Sequence, residues 1–200
     1  MENNARNIIL KAVNLANEGL VRPDLPDPHI DSTTYDDAVT RFITVLEDIG
    51  GKAVRVATME EVHTGVASMF DLSGMRVFSA GFEQGRFELP LETSIGPRRY
   101  SDIGLLITTS DLGVAENGAI WLDESNVPDR ILPFIAENLV AILSGDAIVH
   151  NMHHAYDKLG EAAVGFGVFI AGPSKTADIE QSLVLGAHGA RTMTVFIVGA

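Results

Sequence analysis

The sequence predicts an α/β domain with a mainly parallel central sheet flanked by helices, carrying an N-terminal helical appendage. Two observations predict this class. Short apolar runs that read as strands alternate with segments of helical spacing through much of the chain, the pattern of a parallel sheet covered by helices. The 200 residues are 46% hydrophobic and contain no repeat, low-complexity tract or interdomain linker, so one core of ordinary domain size is expected.

Residues 1–31 form the appendage: a short helix and then a connector, 21–31, in which Pro23, Pro26 and Pro28 oppose regular structure. Residues 32–200 form the main domain. Tyr35, Val39, Phe42, Ile43, Leu46 and Ile49 share one helical face. Ser32, Thr33 and Thr34 are its capping candidates, and Gly50-Gly51 is its stop. A strand is expected over 53–57, then a helix to about Phe70 opened by a Thr58/Glu61 capping box, then a strand over 75–79. From Ile103 the chain turns strongly apolar, with runs at 104–108, 112–115 and 119–122. Between the last two, Asn117-Gly118 suits a tight turn joining short antiparallel strands. Residues 138–143 read as a buried strand, 145–159 as a helix and 164–170 as a strand. A helix is expected from near Ala177, and 192–198 is the last strand.

Composition narrows the function classes. Fourteen Lys plus Arg against 27 Asp plus Glu give a formal net charge of −13, which repels phosphate backbones and anionic lipid headgroups at long range. Nucleic acid and membrane surfaces are therefore not expected partners, while a local site for a small organic anion stays open. With no cysteine, this chain offers no disulfide, thiolate-held metal, cysteine nucleophile or Cys-ligated cluster. The first 17 residues carry Glu2, Arg6 and Lys11 without a continuous apolar stretch, and no run approaches the ~18 residues of a spanning helix. A cytoplasmic location is the expectation.

Two segments carry more than fold signals. One runs from Ser101 through Asp111-Leu-Gly-Val-Ala-Glu116-Asn117-Gly118 to Leu122; the other is Gly172-Pro173-Ser174-Lys175-Thr176-Ala-Asp178-Ile-Glu180, followed by Leu183-Val-Leu-Gly-Ala-His188-Gly189-Ala190. Their order and spacing resemble the signatures of the LUD-domain, or lactate-utilisation, protein family, over roughly residues 100–198. That resemblance implies a fold like the ribose-5-phosphate isomerase and CoA-transferase group. It also implies a role beside other lactate-utilisation proteins, supporting bacterial oxidation of L-lactate to pyruvate. No cofactor is expected on this chain, and iron–sulfur clusters are expected on a partner. A free-standing small-anion-binding or CoA-transferase-like enzyme using Glu116 is the alternative.

The candidate catalytic residues are Glu116 and His188. A glutamate in such a turn serves as nucleophile, acid or base, or else simply points to water. Glu116-Asn117-Gly118 resembles the S-E-N-G turn of CoA transferases, with Ala115 in place of the serine. His188, flanked by glycines, either approaches a ligand or satisfies the core. The candidate ligand-binding residues are Asn117, Gly118, Gly172, Pro173, Ser174, Lys175, Thr176, Asp178 and Gly189. A helix starting near Ala177 would turn the Gly172–Thr176 loop into an anion site of free N–H groups, two hydroxyls and one ammonium. Equally, Ser174 or Thr176 would cap that helix, with Lys175 solvated. Glu116, the loop and His188 are expected to converge on one pocket outside the carboxyl ends of the strands. His150, His153 and His154 could share a helical face, but no carboxylate completes a metal set, and none is expected. Arg98-Arg99 could grip a carboxylate or form an exposed turn.

Overall fold

The computed structural model describes residues 5–21, 23–80, 100, 102–127, 129–160, 165–179, 182–185 and 189–199, and the side chains of Ala80, 176–179 and 182–185 lie outside the description. Two compact units are present, Met1–Asp31 and Ser32–Ala200. The first contains α1 (Ala5–Asn17), which buries none of its residues.

The second unit is built on five parallel strands in the order β1-β11-β6-β3-β2: β1 (Lys52–Val56), β2 (Arg76–Ala80), β3 (Ile103–Ser110), β6 (Asn138–Ser144) and β11 (Thr192–Val198). The inner strands β3, β6 and β11 are largely apolar without alternation because both faces are covered. In β6, Leu139, Ala141 and Leu143 join Phe42 and Leu46 of α2 (Ala38–Asp48) on one side. Val140 and Ile142 join Val62 and Val66 of α3 (Met59–Met69) on the other.

A second sheet, β7-β4-β5-β8, grows from the carboxyl ends of β3 and β6. It contains β4 (Leu112–Val114), β5 (Ala119–Asp123), β7 (Ile148–Val149) and β8 (Gly167–Ala171). Ile120 and Leu122 of β5 share the core cluster of Phe42 and Leu46, so α2 is packed between the two sheets. The short α4 (Leu132–Ile135) precedes β6, α5 (Met152–Leu159) follows β7, and β9 (Lys175–Ile179) pairs antiparallel with β10 (Ser182–Leu185). Among the described residues, no helix is long and apolar enough to cross a membrane.

The mainly parallel α/β architecture is as expected, with three local differences. The helix expected from Tyr35 begins at Ala38 and is capped by Asp37, whose carboxylate accepts from Thr40 N–H at 2.9 Å. Residues 33–35 are held outside it by long-range bonds: Asn151 Nδ2 donates to Thr33 O at 2.9 Å, and Tyr35 N–H donates to His150 Nδ1 at 3.2 Å. The helix expected over 145–159 is a 3₁₀ turn, then β7, then α5, because Ile148 and Val149 pair with Gly113 and Val114 and buried Asn151 caps the helix instead. Where a helix was expected after Thr176, the chain is strand β9, its backbone paired to β10 across Thr176↔Val184 and Lys175↔Leu185. Elsewhere the caps follow the sequence closely. Thr58 accepts from Glu61 N–H, and Glu61 reaches back to Ala57 N–H at 2.8 Å.

Candidate functional site

The loop after β8 is shaped by contact with the carboxyl end of α2. Gly172 turns the chain at φ +72°, and a Cβ there would stand 3.0 Å from Ile49 Cγ1 and 3.2 Å from Ile49 O. A side chain would thus meet both a disfavoured backbone conformation and a neighbouring carbonyl. Pro173 is buried nearby, and Lys175 Nζ donates to the carbonyl of Ile49, the C-cap residue of α2. A cation at a helix carboxyl end satisfies an orphan carbonyl and complements the dipole. Lys175 therefore completes α2, and the loop is no helix N-terminus.

The far end of the same signature segment returns to this place. Ser174 N–H donates to Ala190 O at 2.8 Å, and a Cβ on Gly189 would lie 3.2 Å from Ser174 Cβ. Together these residues wall a cleft of about 400 Å³, lined by Pro133, Phe134, Leu139, Phe169, Ile170, Ala171, Gly172, Pro173, Ser174, Lys175, Gly189 and Ala190. Leu139 lies near the start of β6, and Ala190 precedes β11. The cleft thus sits at the amino ends of these parallel strands, away from the carboxyl-end position usual for open sheets. Lys175 is the one ionisable side chain among the described lining residues, and its ammonium is engaged with Ile49.

Glu116 serves elsewhere. Its exposed side chain accepts the N–H of Met152, the first residue of α5, at 3.0 Å. Asn117 Oδ1 accepts from Ala119 N–H at 3.0 Å, and Gly118, at φ +68°, lies with its would-be Cβ 3.0 Å from the Leu46 backbone. These three residues do not line the cleft. Their turn is a strand away from it, since Ala119 pairs with Ala171.

His188 and Arg98-Arg99 lie outside the described residues, as do the side chains of Thr176 and Asp178. His150 precedes α5, with its ring centroid 5.6 Å from that of His154. Among the described residues no group of three His, Asp or Glu could hold a metal.

A second polar cluster lies at the carboxyl end of β3. Thr108 Oγ1 donates to Asn126 O at 2.8 Å, Asn126 Nδ2 to Asp111 at 3.3 Å, and Asp123 N–H to Asn126 Oδ1 at 3.2 Å. Burial tends to raise the Asp123 carboxyl, but bonds from the Ser125 hydroxyl, Ser125 N–H and the Trp121 indole outweigh it and hold the group below its ordinary range. These bonds fold the turn after β5.

Sequence reasoning missed the far wall of the cleft, Pro133 and Phe134. The available signal was the short apolar run Ile131-Leu-Pro-Phe-Ile135 between Arg130 and Glu137, whose Phe134 remains 43% exposed.

A family model described as the LUD domain matches residues 97–198, which take in both signature segments. The chain belongs to the LUD-domain family. Lactate utilization protein C of Shouchella clausii (strain KSM-K16) is 37% identical to this LUD-domain chain over 101 residues, covering 48% of it and 43% of the relative. Lactate utilization protein C 1 of Bacillus mycoides (strain KBAB4) is 28% identical over 164 residues, covering 78% and 67%. The matched stretches thus take in between 43% and 67% of the length of these relatives. The crystal structure of a DUF162 family protein from Deinococcus radiodurans superposes with a TM-score of 0.62 at 15% identity, covering 84% of this chain and 100% of that one. That likeness shows the fold.

Proposed function

We propose that this LUD-domain chain is a component of a bacterial lactate-utilisation system and supports oxidation of L-lactate to pyruvate together with iron–sulfur partner proteins. One observation carries the reading: the two ends of the second signature segment, Gly172–Lys175 and Gly189–Ala190, meet through the Ser174–Ala190 bond and wall one cleft. The names of the relatives point the same way. A chain without cysteine leaves any Cys-ligated cluster to a partner. A transferase-type reaction would first need the Glu116 carboxylate released from the Met152 N–H. A component role asks for no catalytic set here.

The test is growth of the native host on L-lactate as sole carbon source after deletion of this gene. Growth should fail and return with the wild-type gene. Gly189→Val, which pushes a side chain against Ser174, should restore growth poorly while its circular dichroism stays native. Undiminished growth of the deletion strain would overturn the reading.

A further inference from the structure

A second cavity, of about 620 Å³, opens at the amino ends of β1 and β11, where α3 stops. It backs onto the cleft without being part of it. Ala190 lines the cleft and Arg191 this cavity, and a Cβ on Gly50 of this wall would stand 3.7 Å from Pro173 Cγ of the cleft. Facing residues of neighbouring strands, and every second residue along a strand, share a side of the sheet. Val54, Phe196 and Ile142 pack against Val62 and Val66 of α3, so the earlier residues Lys52, Thr194 and Thr192 look to the same side. A Cβ on Gly65 would stand 2.6 Å from the Phe196 ring, which puts the helix directly over the apolar part of that side.

The part beyond the end of α3 is polar. Lys52 is exposed, Thr194 is buried, and Thr192 Oγ1 donates to Asn138 Oδ1 at 2.6 Å. Met69 and Phe70, partly buried at the end of α3, supply an apolar wall. Among the described lining residues the ionisable ones are Lys52 and Arg191, both cations. Two charges act against them. The carboxyl end of α3 carries about half a negative elementary charge, and Glu137 Oε1 stands 4.0 Å from Arg191 Nη1, with both side chains mostly exposed. An exposed pair at that separation is held weakly and exchanges partners readily. The carboxyl end of α2 is already served by Lys175. The surplus therefore lies between about half and one and a half positive charges, which suits one carboxylate and not a dianion.

We propose that this cavity binds a small organic monocarboxylate with an apolar body. Arg191 and Lys52 hold the carboxylate beside the Thr194 hydroxyl, and the body lies against Met69 and Phe70. A guanidinium forks onto a carboxylate through two parallel N–H bonds, while an ammonium adds a point charge. A concave site of several hundred cubic ångströms with apolar walls and a few polar anchors is the usual form of a small-ligand pocket. The site is separate from the cleft and does not depend on the component reading.

The test titrates the full chain with 3-phenylpropanoate, followed by amide chemical shifts. Binding should saturate with a Kd near or below about 1 mM, and the shifts should centre on Ser68–Phe70 and Thr192–Thr194. The neutral 3-phenylpropanamide should bind at least about tenfold more weakly. Arg191→Gln and Lys52→Gln, both at exposed positions, should each weaken the acid at least about fivefold with circular dichroism unchanged. Lys158→Gln, which removes a cation from the last turn of α5, should leave the affinity as it was. Any of four results overturns the proposal: no saturable binding, equal binding of the amide, shifts centred on Gly172–Ser174 of the cleft, or an equal loss in all three variants. None of these outcomes depends on growth on lactate.

Discussion

Gly118 and Gly172 are the residues on which the second sheet is seated against α2. Both have positive φ, and a Cβ on either would press on the backbone of the helix, at Leu46 or Ile49. Gly118→Ala should therefore destabilise the domain by about 2–4 kcal/mol, combining left-handed strain with overpacking; a urea titration followed by tryptophan fluorescence measures it. A loss below about 0.5 kcal/mol would mean that the turn moves freely away from α2. Glu116→Gln should cost about 0.5–1 kcal/mol by weakening the cap on α5, read in the same titration. The Asn117-Gly118 turn was legible in the sequence because its chemistry is local: an amide side chain folding onto the next backbone and a glycine accepting positive φ. The partners of Lys175 and Glu116 were not. Each bonds a residue far along the chain, Ile49 or Met152, and no local pattern encodes such a meeting.

Among the elements, helices with side-chain caps close by were readable and those displaced by tertiary bonds were not. Thr58 and Glu61 marked the start of α3, whereas the start of α2 depends on His150 and Asn151 holding residues 33–35 outside the helix. The start of β9 was misread because hydroxyls before acidic residues suggest a helix start, while pairing with β10 satisfies the same backbone as a strand. The caps also set the response to acid. The Thr40 hydroxyl and N–H hold the Asp37 carboxyl below its usual range, as the Ser125 and Trp121 bonds do for Asp123 against burial. In both, the folded pKa lies under the unfolded one, so the unfolded chain binds protons first on acidification. Their contribution is complete above about pH 4 and is lost as pH falls toward the folded values. The urea midpoint should drop between about pH 5 and pH 3, and drop less in an Asp37→Asn, Asp123→Asn double variant. Parallel declines in the two proteins would place the acid sensitivity elsewhere.

For the whole molecule, apolar runs alternating with helical spacing made the fold class readable, since burial on both faces leaves the inner strands largely apolar. Strand order was not readable, because pairing is chosen by contacts across the entire chain. A chain lacking residues 1–31 should fold, as the remainder is a compact unit and α1 buries nothing; its melting temperature should stay within about 3 °C of the parent. A larger fall would assign α1 a stabilising role. The placement of β11 bears on how the protein is made. This strand, the last of those described, lies inside the sheet between β1 and β6. While a ribosome adds residues at about 5–20 per second, β1 emerges early and has no neighbour until residues 192–198 are free of the exit tunnel. The nascent chain must therefore wait with β1 unpaired and the edge of β6 that β11 will occupy still open. A stalled chain ending before residue 192 should be cut readily by protease between α2 and α3, and a released full-length chain should resist.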